Sequence, residues 1–220
     1  MRKEPILIGL TGGIATGKST TVIMLRDRGI PVHDADAVVH RLMATDGAAV
    51  QPVIDRFGDS VLASDGSINR QALGGIVFKN ATDRRQLESI IHPLVTADRD
   101  NFLVESRSMG APLVVLDVPL LYETGGDAAC DFVILCDADS ATQRDRGMAR
   151  SGMTEQKWDA ILASQMPMED KRARADAVIE TQYGLEAARR QLDEILDRIR
   201  VPDASRDAAA RPTGVDRHDT

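Results

Sequence analysis

Ile6-Leu7-Ile8-Gly9-Leu10-Thr11-Gly12-Gly13-Ile14-Ala15-Thr16-Gly17-Lys18-Ser19-Thr20 is the stretch whose reading decides the fold. The run from Ile6 to Leu10 has the short, continuous apolar character of a buried strand, a glycine-rich loop follows, and Ser19 to Arg28 reads as a helix stopped by Gly29. Gly12 to Ser19 match G-x-x-x-x-G-K-[ST] in full, in the strand, loop and helix setting that gives the motif its meaning. The glycines let backbone N–H groups turn inward around phosphate oxygens, and the helix amino terminus adds unpaired donors with a partial positive charge. Gly12, Gly13, Ile14, Ala15, Thr16, Gly17, Lys18, Ser19 and Thr20 are therefore the expected ATP-binding residues. Lys18 should reach the β- and γ-phosphates, the Ser19 hydroxyl should ligate Mg²⁺, and Thr20 is placed to contact the α-phosphate. An ordinary glycine-rich turn is the alternative, and the full match in this setting disfavours it.

Working outward, Ile30 to His33 reads as a second short strand, Leu113 to Leu116 as a third, Phe132 to Cys136 as a fourth and Ala177 to Glu180 as a fifth. Strands separated by helical stretches imply right-handed crossovers and a parallel sheet covered on both faces, which is the α/β three-layer class. Some seventy residues between the second and third strands carry no convincing strand signal. Leu87, Ile90, Ile91, Leu94 and Val95 recur there at helical spacing. Pro93 inside that pattern predicts a kink or a restart, with His92 at the bend. A second insertion, Ser140 to Ala175, is helical in composition and carries Arg144, Arg146, Arg150, Lys157, Lys171, Arg172 and Arg174, as a lid over an anion would. The expected division is one domain of residues 1–200, with a core of 1–36, 108–139 and 176–200, a helical substrate lobe of 37–107 and a helical lid of 140–175. Residues 201–220 read as a disordered tail.

A phosphate loop alone does not separate kinases from switches or motors. Asp34 and Asp36 lie at the carboxyl end of the second strand, the edge to which the first strand delivers the loop and where open α/β sheets gather ligands. A carboxylate there can orient an acceptor hydroxyl and take its proton, and Asp34 is the expected base. Asp36 has a competing use as cap of the following helix. Asp117 ends the third strand as a metal-coordinating acid would, although a turn role is open to it. Arg146 and Arg150, four apart, would share a helical face and could stabilise transferring charge, whereas Arg172 and Arg174 read as a solvated face.

Composition excludes other classes. Apolar residues at 43% and charged residues at 28% fit an ordinary soluble globular protein, and a formal charge of −7 argues against general nucleic-acid binding. No apolar run approaches a membrane span, and Arg2 and Lys3 lead into too short an apolar segment for a signal peptide. A cytoplasmic enzyme with no membrane partner is expected. Cys130 and Cys136 fit neither a redox pair nor a zinc site and read as buried strand residues. Oligomeric state is not legible in this sequence.

Taken together, these residues resemble the dephospho-coenzyme A kinase family, up to about Arg200. The resemblance rests on Leu10 to Ile14 before Gly17 to Thr20, on Asp34-Ala35-Asp36, Asn69-Arg70 with Leu73, His92-Pro93-Leu94, and Asp117 to Glu123. It continues through Gln143, Arg146, Arg150 and Gln165 to Ala175-Asp176 and Val178-Ile179. It implies a P-loop kinase fold that transfers the ATP γ-phosphoryl to the ribose 3′-hydroxyl of dephospho-coenzyme A, with Asp34 as base and Lys18 and Arg146 as its catalytic cations. It also implies an acceptor site of Asp34, Asp36, Arg70, His92, Pro93, Asp117, Pro119, Leu120, Leu121 and Glu123, with Arg146 and Arg150 serving ATP from the lid. Ala15-Thr16 stands where Gly-Ser is commoner, and Glu180-Thr181 replaces the usual Asp-Asn after the last strand. Rival readings are another small-molecule or nucleotide kinase, and a nucleotide-dependent switch that hydrolyses ATP without an acceptor.

Overall fold

The computed structural model describes residues 4–78 and 80–200, so the expected tail at 201–220 lies outside the described residues. Five parallel strands form one sheet: β1 (Ile6–Gly12), β2 (Val32–Asp34), β3 (Leu113–Asp117), β4 (Phe132–Asp137) and β5 (Ala177–Glu180), in the order β2-β3-β1-β4-β5. Helix α1 (Lys18–Asp27) follows the phosphate loop, and α9 (Leu185–Arg200) closes the described chain. Ile8, Leu10, Val115, Phe132 and Ile134 face α1 and α9, where Met24, Leu25, Leu192 and Leu196 cover them. Val133 points the other way, into a cluster with Leu121, Tyr122 and Cys130. Both faces are covered, so the strands read as unbroken apolar runs without polar alternation.

Between β2 and β3 lie α2 (Ala35–Leu42), α3 (Val50–Phe57), α4 (Arg70–Val77) and α5 (Ala81–Ser108). They bury a cluster of their own that includes Met43, Val53, Val61, Leu73 and Ile91. Between β4 and β5 lie α6 (Ser140–Met148), α7 (Glu155–Ala163) and α8 (Met168–Arg174).

Two local expectations change. β2 begins two residues later than Ile30, because the Ile30 N–H is used to bond the Leu25 carbonyl at the end of α1. The strand thereby ends on Asp34 itself. The helix containing Pro93 neither stops nor restarts, and α5 runs unbroken from Ala81 to Ser108. Proline removes the bond to the carbonyl four residues back, here that of Ser89. Ser89 and Pro93 are both exposed, so water can satisfy that carbonyl and the helix survives. Cys136 is a β4 residue, while Cys130 is buried just ahead of that strand. Burial pushes the Cys136 thiol up to about 12, which leaves it inert at neutral pH.

Candidate active site

The phosphate loop is held open by its own backbone. Gly17, at φ +89°, is the left-handed residue that caps α1, and a side chain there would press on Thr181. Ala15 is also left-handed, at φ +61°, without a glycine's freedom. The Thr16 hydroxyl donates to the Gly13 carbonyl at 2.9 Å, and the Thr181 hydroxyl donates to the Thr16 carbonyl at 2.8 Å. Both of these side-chain bonds engage carbonyls of the loop, while its Thr16 N–H turns back to the Gly13 carbonyl at 3.4 Å.

Asp34 and Asp117 end their strands at the carboxyl edge of the sheet, with Asp36 in the first turn of α2, and Asp117 reaches the loop's lysine. Lys18 Nζ pairs with Asp117 Oδ1 at 2.6 Å, with the Asp117 side chain 6% exposed. Burial raises the Asp117 carboxyl above its usual range; the Lys18 ammonium opposes that rise, and the charges of Asp34 and Asp36 add to it. Asp34 and Asp117 are register partners across β2 and β3, so they stand side by side on adjacent strands. The cap of α2 proves to be Asp34 and not Asp36: Asp34 Oδ1 accepts the Ala37 N–H at 2.9 Å. Asp34 Oδ2 lies 3.9 Å from the Arg26 guanidinium. Asp36 is exposed in the first turn of α2.

Helices α6 to α8 lie against the loop. Gln143 donates to the Ile14 carbonyl at 2.7 Å while Gln165 Oε1 accepts the Ile14 N–H at 3.0 Å, so Ile14 is gripped from both sides. Trp158 packs on Ile14 and Ala15, and Gly147 exists in α6 because a Cβ there would overlap the rigid indole at 1.9 Å. Arg146 donates to the Thr181 hydroxyl at 2.8 Å and to the Thr181 carbonyl at 2.9 Å. Beside them Gly17, Thr20, Arg146, Thr181 and Leu185 line a cavity of about 260 Å³.

Several sequence expectations need correction. Arg150 lies beyond the end of α6, so it shares no helical face with Arg146. Arg172 is paired with Asp137 and Glu180, and Arg174 with Asp127, where a merely solvated face was expected. Lys171 is buried on Glu123 and unavailable to a ligand. Leu121 is 1% exposed in the core under its loop, so it offers no surface to an acceptor, and the Glu123 carboxylate turns to α8 and the Met166 N–H. Leu120 is exposed, and the Pro119 carbonyl accepts the Thr11 hydroxyl at 3.0 Å, which ties that run to the end of β1. Arg70 contacts the His40 ring, and His92 and Pro93 are exposed on α5. Among the described residues, none of these three hydrogen-bonds to the Asp34, Asp36 or Asp117 carboxylates. Trp158 carries no signal of its own in the sequence, and Gln143, Gln165 and Thr181 enter only through the family resemblance with no contact assigned to them, since each acts through a partner far away in sequence.

A phosphate loop, strand-end acids and a helical cover on one parallel sheet define a P-loop phosphotransferase of the kinase type. The family model for dephospho-CoA kinase matches residues 6–186. A dephospho-CoA kinase from Mesorhizobium japonicum is 49% identical over 89% of this chain and 97% of its own. One from Symbiobacterium thermophilum is 44% identical over 85% of this chain and 78% of its own. Among solved structures, TT1252 from Thermus thermophilus superposes with a TM-score of 0.79 at 33% identity, covering 90% of this chain and all of that one. Dephospho-CoA kinase from Campylobacter jejuni shares the fold, with a TM-score of 0.61 at 22% identity over 88% of this chain and 96% of its own. The chain belongs to the dephospho-CoA kinase family.

Proposed function

We infer that this enzyme transfers the γ-phosphoryl group of ATP to the ribose 3′-hydroxyl of dephospho-coenzyme A, giving coenzyme A and ADP. The observation that carries the chemistry is the register pairing of Asp34 with Asp117 beside Lys18, opposite the phosphate loop. In this reading the loop amides hold the triphosphate, and Lys18 swings from Asp117 to the β- and γ-phosphates. Asp34 keeps α2 capped through Oδ1, so Oδ2 is the atom that receives the acceptor hydroxyl proton as the ribose oxygen attacks the γ-phosphorus and ADP departs. Adenine would sit in the cavity beside Thr181, and Arg146 would move from Thr181 toward the transferring charge.

Mg²⁺ is bound in such sites by one or two protein oxygens together with phosphate oxygens, and it neutralises charge between the β- and γ-phosphates. The exposed Ser19 hydroxyl, in the first turn of α1, fits that sparse donor set, with Asp36 or Asp117 as the nearby carboxylate. Arg70, His92, Pro93, Pro119 and Leu120 remain the proposed acceptor contacts, on a lobe of residues 37–107. Residues 140–175 are proposed as the lid. Among the described residues no helix is long and apolar enough to cross a membrane, and neither buried cysteine is in a disulfide, which suits a reducing cytoplasm.

The test is an acceptor screen. ATP is offered with dephospho-coenzyme A, adenosine, nucleoside monophosphates or gluconate while ADP is followed. Dephospho-coenzyme A should give turnover well above the others; turnover with a different acceptor alone overturns the reading, and acceptor-independent ADP release favours the switch.

A further inference from the structure

Helix α8 carries a residue that a surface cover does not need. The Lys171 side chain is 0% exposed, and an ammonium taken from water costs several kcal/mol unless a counter-charge meets it. Its counter-charge is Glu123, the last residue of the run after β3, with Oε1 at 2.8 Å from Nζ. The same Oε1 accepts the Met166 N–H at 2.8 Å. Met166 follows Gln165, whose side chain holds the Ile14 N–H of the phosphate loop. The two-residue segment Gln165–Met166 is thus fastened to the ATP half of the site on one side and to the Pro119–Glu123 run on the other.

The pair is expensive as a mere brace. Glu123 Oε2 and Lys171 Nζ are buried without a hydrogen bond of regular geometry, although the two charges are in contact. Burial pushes the Glu123 carboxyl up, but Lys171 and the Met166 N–H outweigh it and hold it below its usual range, so the carboxylate stays charged at neutral pH. Apolar side chains of similar volume often stabilise as well or better, and the best-attested use of a retained buried charge pair is to set register or run a switch.

We propose that Glu123 and Lys171 are positioning residues that lock the acceptor-side run to the cover over the phosphate loop, so that each substrate raises the affinity for the other. The proposal rests on the function inferred above. Gln165 already bonds the phosphate loop, so any shift of the loop on bound ATP is passed through Gln165 and Met166 to Glu123, and so to the Pro119–Leu120 run that meets the acceptor. Binding free energies are reciprocal, so the effect is measurable from either site.

The experiment uses the full chain with Mg²⁺ and a non-hydrolysable ATP analogue. Its Kd is measured with and without saturating dephospho-coenzyme A, read from Trp158, the chain's one tryptophan, which rests on the phosphate loop. Couplings of this kind are ~5- to 150-fold, and the parent ratio should fall in that range. In Glu123→Gln, Lys171→Met and the double variant the ratio should collapse toward unity, with the double no worse than the poorer single. Glu123→Gln keeps an acceptor for the Met166 N–H and nearly the same shape, so it carries the test should Lys171→Met fail to fold. A lowered Tm with the parental ratio retained makes the pair structural only and overturns the proposal, as does a parent ratio of one. A parent that binds the analogue but never dephospho-coenzyme A overturns the inferred function and this proposal with it, and is recognised because the parent itself fails.

Discussion

The two halves of the site are built in opposite ways. Around the phosphate loop nearly every contact is in place: Ile14 is bonded through both its N–H and its carbonyl, Trp158 seals it, Thr181 holds Thr16, and Arg146 holds Thr181. On the proposed acceptor side Asp36, Arg70, His92 and Leu120 are exposed and come from separate elements. The first half is an anion site whose backbone is largely preorganised, so that mainly the Lys18 and Arg146 side chains have to change partners to meet a phosphate. The proposed acceptor half draws on side chains from α2, α4, α5 and the run after β3, and helices α2 to α5 bury a core of their own. Asp34 sits at the seam, ending β2 and capping the first helix of the lobe.

The seam is where the comparison breaks most sharply. Asp34→Asn removes the proposed base, yet Asn caps helices as well as Asp does, so α2 should stay in place. Loss of a general base costs ~10² to 10⁴ in rate, and kcat should fall in that range while ATP affinity stays within a few-fold. A kcat close to the parent's would move the proton to another group. If ATP affinity collapsed as well, the two halves would not be separable at Asp34.

Next in size is Lys18→Met, which strips the counter-charge from Asp117 as well as the phosphate ligand. Breaking a buried pair costs about 3–5 kcal/mol. Burial already holds the folded-state Asp117 carboxyl above its unfolded value, so its burial is tolerated fully at acid pH and becomes costly as pH rises through that raised value. Without Lys18 the carboxyl rises further. The stability gap between parent and variant should therefore be small at acid pH and open toward neutrality in denaturant titrations; a gap independent of pH would mean that Lys18 does not hold down the Asp117 carboxyl in the folded state.

Gln165→Leu should be milder. It leaves the Ile14 N–H buried without its acceptor, a loss of about 1–3 kcal/mol, and it should alter Trp158 emission because the indole packs on Ile14. Unchanged emission together with an unchanged Tm would mean that the loop keeps its shape without the cover.

The same contrast explains what could be read in the sequence. The phosphate loop was legible because its function is local: eight consecutive positions, a strand before and a helix after. Asp34 and Asp117 were legible because sheet topology puts strand ends at one edge, whatever the intervening length. The lobe and cover were visible only as helical stretches. Their working contacts, such as Gln165 with Ile14 or Lys171 with Glu123, join residues 151 and 48 positions apart, and no periodicity encodes such pairs. Lys171 was misread as one more lid cation for the same reason, since composition counts a charge but not its burial. Leu121 was misread because a family run names positions without saying which side of the loop each faces.

The smallest effect bears on Ala15, where glycine is commoner and where a departure looked harmless on the argument that only amides touch phosphate. The backbone gives that argument a cost: Ala15 is held at φ +61°, where a Cβ is worth ~1–2 kcal/mol of strain. Ala15→Gly removes the strain but frees the unfolded chain, which costs about 0.4–1 kcal/mol, and it surrenders a buried methyl beside Trp158 worth about 0.8 kcal/mol. The terms nearly cancel, so the Tm should move by less than ~4 °C, the shift that 1 kcal/mol produces in a chain of this size. ATP affinity should hardly change, because the amide that meets the phosphate is the same in both residues. Ala15→Val separates the terms, since a β-branched side chain at positive φ adds strain without removing an amide, and its Tm should fall clearly below that of the parent. If Ala15→Gly instead weakened ATP binding tenfold, the methyl packed under Trp158 would be holding the loop in its binding shape, and the phosphate half would depend on its side chains much as the acceptor half does.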